Sequence, residues 1–290
     1  MFRSFLLLLI FGCQYFSAQD LPAYKIYNAK GKEVSFKSMA KAANDAQIVL
    51  FGEFHDNPIA HWLQLELTQQ MFAAHGTNLQ LGFEMFEQDQ QAILSAYLNG
   101  SIPADSLKDT LRLWPNYPTD YAPLVNFAKE KGLSCVATNI QRKYASLLFK
   151  KGRAALDTLP ESIKQQMAPL NFAFDTTLSQ YQDMKQMGAH MGPGMGWRMV
   201  EAQAIKDATM AHFILHNPWR TNQTVHLHFN GAYHSDFYQG IMWYLQHEGV
   251  ASDIMTISTV SQDNVHKLEK AHLGQADFII CVPSNMTSTH

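Results

Sequence analysis

Short apolar runs alternate with longer amphipathic stretches along the chain. Residues 47–51 (QIVLF), 79–84 (LQLGFE), 133–138 (LSCVAT), 225–229 (VHLHF), 254–259 (IMTIST) and 277–282 (DFIICV) are compact, strand-like segments. Their length and their near-continuous apolar character suit strands covered on both faces. Residues 59–74, 88–98, 121–130, 200–216 and 237–248 carry helical patterning between them. Strands alternating with helices predict βαβ units, and so an α/β fold with a mostly parallel central sheet flanked by helices. The interval from 138 to 225 is too long for one crossover and reads as a helical insertion at about 140–222. One domain spanning 20–290 with that insertion is the expected organisation, with short helices and turns at 95–120.

The first nineteen residues, MFRSFLLLLIFGCQYFSAQ, have another character. Arg3 precedes a seven-residue apolar run at 5–11, followed by small and polar residues. That is the anatomy of a secretory signal peptide, and the run is too short to span a bilayer as a helix. Ile10-Phe11-Gly12-Cys13 resembles a lipobox, in which Cys13 would be lipidated; cleavage near Ala18-Gln19 is the alternative. Both predict export to the periplasm or an outer-membrane lipoprotein, with membrane contact only through a lipid anchor.

Composition narrows the classes. With 47% hydrophobic and 16% charged residues and a net charge of −3, the chain is neither disordered nor a generic nucleic-acid binder. Three cysteines exclude a disulfide-stapled scaffold. Cys135 and Cys281 lie in strand-like runs and are expected as core thiols.

Ligands of open α/β sheets bind beyond the carboxyl ends of the strands. Four predicted strands bring Glu53, His55, Glu84, Asn139 and His234 to that edge, two of them through Gly-x-x-His (Gly52 to His55, Gly231 to His234). His55, Glu84 and His234 would suit a divalent metal, Zn²⁺ or Mn²⁺. Glu53, His55, Glu84 and His234 would equally serve as a catalytic acid–base set without one. His226 and His228 alternate along their strand and read as core residues. The chain has no His-Glu-x-x-His, Walker or Gly-x-Ser-x-Gly motif. Gly192-Pro193-Gly194-Met195-Gly196 follows no predicted strand, so it is no dinucleotide fingerprint.

Taken together, the motifs resemble those of the ChaN-type haem-binding proteins of the Tiki superfamily. Carrying the resemblance are Leu50 to Asp56 (LFGEFHD) with His61 and Gln64, Leu81 to Phe86 (LGFEMF) with Gln90, and Tyr97-Leu98-Asn99-Gly100. Further on come Trp114, Tyr121, Ala137-Thr138-Asn139, the helix with Ala202, Gln203, Asp207, Met210 and Ala211, and Gly231-Ala232-Tyr233-His234. The resemblance implies an exported haem-binding protein of haem or iron uptake, often lipid-anchored. Haem is the implied ligand and an outer-membrane haem receptor a possible partner. More distant relatives in the superfamily include metal-dependent proteases and erythromycin esterases, which makes a metal-dependent hydrolase at the strand ends the rival function. A non-catalytic scaffold is the third. Tyr181 and His190 are the implied haem-iron ligands.

The surrounding segment supports such a reading in its own terms. Met184, Met187, Met191, Met195 and Met199 recur at three- and four-residue steps, while glycines and Pro193 interrupt the helix. A flexible methionine-lined loop is expected, adaptable enough to clasp a flat macrocycle, with Lys185 or Arg198 meeting the propionates. Cu(I) held by thioethers and imidazole, or ordinary core packing, are the alternatives. A homodimer is expected, because one small domain rarely covers both faces of a haem.

Overall fold

The structure is a computed structural model, and it describes residues 20–249 and 253–289. Residues 1–19, expected as a signal segment and including Cys13, lie outside the described residues. Eight strands form one sheet: β1 (Lys25–Asn28), β2 (Glu33–Val34), β3 (Ile48–Glu53), β4 (Leu79–Glu87), β5 (Ser134–Asn139), β6 (Val225–Gly231), β7 (Ile254–Gln262) and β8 (Phe278–Pro283). Their spatial order is β2-β1-β8-β7-β3-β6-β4-β5. From β8 to β5 all neighbours are parallel. Only β1 pairs antiparallel, with β2 and with β8. The predicted mostly parallel α/β sheet is therefore the one observed.

The helices are α1 (Phe36–Asp45), α2 (Pro58–His75), α3 (Gln91–Leu98), α4 (Leu107–Thr110), α5 (Ala122–Lys131), α6 (Arg142–Lys151), α7 (Ala154–Asp157), α8 (Glu161–Lys164), α9 (Ser179–Ala189), α10 (Met195–Leu215) and α11 (Ile241–His247). They cover both faces, and β3 shows why its sequence is unbroken in apolarity. Val49 and Phe51 join one core with Met39, Leu63, Leu67 and Leu124 from α1, α2 and α5. Ile48 and Leu50 join the other with Leu148, Val200, Ile205 and Leu245 from α6, α10 and α11. Successive strand residues point to opposite faces, so a doubly covered strand has no polar phase. Between β5 and β6 lie α6 to α10, with no strand among them.

Local signals set several boundaries. Asn57 caps α2, its Oδ1 accepting from the N–H groups of Ile59 (3.1 Å) and Ala60 (2.9 Å), and Pro58 opens the helix. Two expectations change. The helix expected over 237–248 begins only at Ile241, because Phe237 and Tyr238 are left-handed (φ 55° and 59°). The Phe237 N–H donates to Gln275 O at 2.7 Å instead of extending a helix. The methionine-rich segment, expected as a flexible loop, is a helical hairpin of α9 and α10. Gly188 and Gly196 serve close approach: a methyl group on Gly188 would fall 2.8 Å from Gly196 Cα.

Candidate functional site

The carboxyl ends of β3, β4 and β6 form one rim that joins two carboxylate–histidine groups. The first sits at the end of β3. Glu53, 1% exposed, accepts from Tyr121 Oη at 2.6 Å, from the Gln64 amide and from His55 Nδ1 at 2.9 Å. His61 lies behind, its Nδ1 3.0 Å from Gln64 Oε1 and its Nε2 3.1 Å from His55 O. Asn116 donates to that same carbonyl (2.6 Å) and to Asp120 (2.7 Å). The His55 side chain is 38% exposed and meets Trp114 edge-on, ring centroids 4.8 Å apart. Burial opposes protonation of His55, but the bond to Glu53 and the charges of Glu84 and Glu53 outweigh it and raise its pKa.

The second group is buried. His234 Nε2 faces Glu84 Oε1 at 3.2 Å and its Nδ1 pairs with Asp207. Glu84 also accepts the Gly231 N–H at 2.7 Å. Burial works against the charged imidazole, yet Glu84 and Asp207 push His234 up to about 10. Glu84 responds in kind: against the cost of burial, the His234 charge and hydrogen bond hold its carboxyl far below the ordinary range. Asp207 is shifted upward, chiefly by burial. Gly231 joins the two groups, since a methyl group there would lie 2.8 Å from His55 Nε2. The glycine of that Gly-x-x-His thus lets the strand end pass beneath an imidazole.

Glu53, His55, Glu84 and His234 therefore meet at one rim, and Asn139 reaches it by donating to Glu84 O at 3.1 Å. The expected Zn²⁺ or Mn²⁺ on His55, Glu84 and His234 finds no support in the arrangement of these side chains. Among the described residues no three His, Cys, Asp or Glu side chains are arranged to hold a metal ion. In this arrangement both ring nitrogens of His234 already face carboxylates, Glu84 on one side and Asp207 on the other. His226 and His228 are fully buried over Gly82, bonded to Gln80 (2.9 Å), and to Thr138 (2.8 Å) and Asn230 (3.1 Å). Cys135 and Cys281 are buried free thiols.

Tyr181 and His190 part company. Tyr181, expected at the iron, is 1% exposed and donates to Asp207 Oδ2 at 2.9 Å. Burial, then the Asp207 charge, keep its phenol protonated far beyond the usual range, so no tyrosinate is presented to a surface ligand. His190 ends α9 in the open, between Met187 (55% exposed) and Met191 (58% exposed). Met184, a turn earlier in α9, is partly buried and packs against the core that holds Val200 and Ala204 of α10. Asp207 and Tyr121 were not assigned to the strand-end chemistry from sequence. Asp207 carried a readable signal: an acid in the apolar stripe of Ala204, Ala208 and Ala211.

The description "Haem-binding uptake, Tiki superfamily, ChaN" belongs to the family model that matches residues 39–245, well over half the chain. The chain belongs to this family. ChaN of Campylobacter jejuni, reported with cofacial haem bound, superposes with a TM-score of 0.67 at 18% identity over 89% of this chain and 96% of its own. At that identity the ChaN likeness speaks for the fold. An EreC erythromycin esterase mutant (TM-score 0.47, 12% identity, 91% of this chain and 98% of its own) is a weaker match. So is the type III effector HopBA1 (0.46, 13%, 86% and 94%). No curated protein sequence matches the ChaN-family chain.

Proposed function

We propose that the protein is an exported, cell-envelope haem-binding protein of haem or iron acquisition, and that haem docks at the tip of the α9–α10 hairpin. The observation that carries this is His190, exposed between two exposed methionines, in a member of a haem-binding family. An imidazole at a helix end is a natural axial ligand, and thioethers lie well against a macrocycle. Haem's iron, when bound, supplies the centre that His190 holds. Lys185, whose Nζ lies 4.5 Å over Trp197, and Arg198, which donates to Lys150 O at 2.8 Å, are the nearby cations for propionates. A second copy of the chain is the proposed cover for the other haem face. The signal segment supports export, with Cys13 as the proposed lipid anchor and an outer-membrane haem receptor as the proposed partner. Titrating hemin into the mature protein tests the reading: a saturable Soret shift with haem-dependent dimerisation supports it, and the absence of any shift removes it.

A second reading attaches to the strand ends. His55, half-open and oriented by the buried Glu53, has the arrangement of a general base acting without a metal. Ester hydrolysis abolished in His55→Ala would support it. Equal inactivity of both proteins would leave the cluster a structural scaffold.

A further inference from the structure

Gln80 interrupts the apolar run of β4, and nothing at the strand-end rim uses it. It is 1% exposed, its amide joined to that of Asn217 by two bonds of 3.0 Å, and its Oε1 lies 2.9 Å from His226 Nδ1. The same two amides fix two groups near the amino end of β5. Gln80 Nε2 donates to Ser134 Oγ at 3.1 Å, and Asn217 Oδ1 accepts the Trp219 N–H at 3.2 Å.

Ser134 and Trp219 line a cavity of about 400 Å³ together with Ser95, Leu98, Asn99 and Leu133, at the end of the sheet away from the rim. That volume suits a small ligand. Trp219, 40% exposed, offers its indole. Ser95 Oγ accepts from Gln91 Nε2 at 3.1 Å, as Ser134 Oγ does from Gln80. A hydroxyl oxygen that accepts from a glutamine keeps its own proton to donate. Neither proton is given to another group among the described residues. Asn99 Oδ1 accepts the Ser101 N–H at 2.9 Å, and its Nδ2 meets no acceptor among them, which makes a third donor. No Asp, Glu, Lys, Arg or His lines the cavity, and burial raises the pKa of the Cys135 thiol in its lining. Uncharged donors oriented by glutamines, beside an open indole, match a neutral ligand rich in acceptor oxygens with one apolar face.

We infer that this cavity binds a neutral pyranose, its C–H face stacked on Trp219 and its oxygens accepting from Ser95, Ser134 and Asn99. The site is additional to the haem reading and shares no residue with it or with the strand-end rim.

Saturation-transfer NMR on the mature protein tests the inference, with methyl β-glucoside, methyl β-galactoside and N-acetylglucosamine as probes and cyclohexanol and glucuronate as controls. At least one neutral sugar is expected to bind saturably, with transfer strongest at the ring protons of one face. Trp219→Ala should weaken that binding about 10-fold or more. Should that variant not fold, Ser95→Ala with Asn99→Ala decides, with a loss of about 5-fold or more expected. Cyclohexanol binding as well as the sugars, glucuronate binding more tightly than they do, undiminished binding in both folded variants, or no saturable transfer from any of the three sugars would each overturn the inference.

Discussion

The strand-end rim and the hairpin tip use histidine in opposite ways. At the rim, His234 is buried and bonded on both sides by carboxylates; at the tip, His190 is exposed between exposed thioethers. The two are tied by Tyr181, which reaches from α9 to Asp207. A residue held this firmly stabilises the fold and has little left for a ligand. An unengaged one adds little stability and retains its lone pair. The contrast teaches that proximity of ligand-type residues does not by itself make a ligand site, because the partners each already has bear on what it can still hold.

Breaking the rim should have the largest effect. Asp207→Ala leaves His234 with one of its two counter-charges, and a loss of about 3–5 kcal/mol is expected in urea denaturation. Hemin affinity at the tip should change far less.

The pH dependence of stability comes next. His234 is raised to about 10 from an ordinary 6.5. Its contribution is therefore complete below pH 6.5 and lost as pH rises through 10. Glu84 is depressed from 4.5, so its contribution is complete above pH 4.5 and lost as pH falls below it. Asp207, raised from 3.8, works against them once ionised. Thermal melts should show the network at its strongest between about pH 4.5 and 6.5, with an alkaline decline that His234→Gln flattens. An unchanged alkaline limb in that variant would contradict the assignment.

Tyr181→Phe should cost about 1–3 kcal/mol through the unmade bond to Asp207. Met187→Gln with Met191→Gln, at exposed positions, should alter stability by about 0.5 kcal/mol or less while weakening hemin binding. Loss of stability without loss of hemin affinity in that double variant would place the macrocycle elsewhere.

How much was legible beforehand follows from the same physics. Every core strand declared itself, because a strand covered on both faces must be apolar throughout, as β3 is. The hairpin of β1 and β2 went unread: it is short, lies at the sheet edge, and its pattern carries little apolar weight. The rim residues were legible from their places after strands. The occupancy of their nitrogens was not, since Asp207 comes from a helix in the insertion, and only its position in an apolar stripe marked it. Tyr181 and His190 were candidates nine residues apart in sequence. Helical phase sends Tyr181 inward and leaves His190, past the end of α9, in solvent. Of the glycines read as flexible, Gly188 and Gly196 are close-contact residues, because two helices crossing there have no room for a methyl group, whereas Gly192 and Gly194 turn the chain at positive φ with open space around them.

The most direct test of this division of labour is a hemin titration of the mature protein beside Tyr181→Phe and His190→Ala, followed at the Soret band. The account predicts a full shift in the parent and in Tyr181→Phe, and a large loss in His190→Ala. A shift that survives in His190→Ala and disappears in a folded Tyr181→Phe would contradict it.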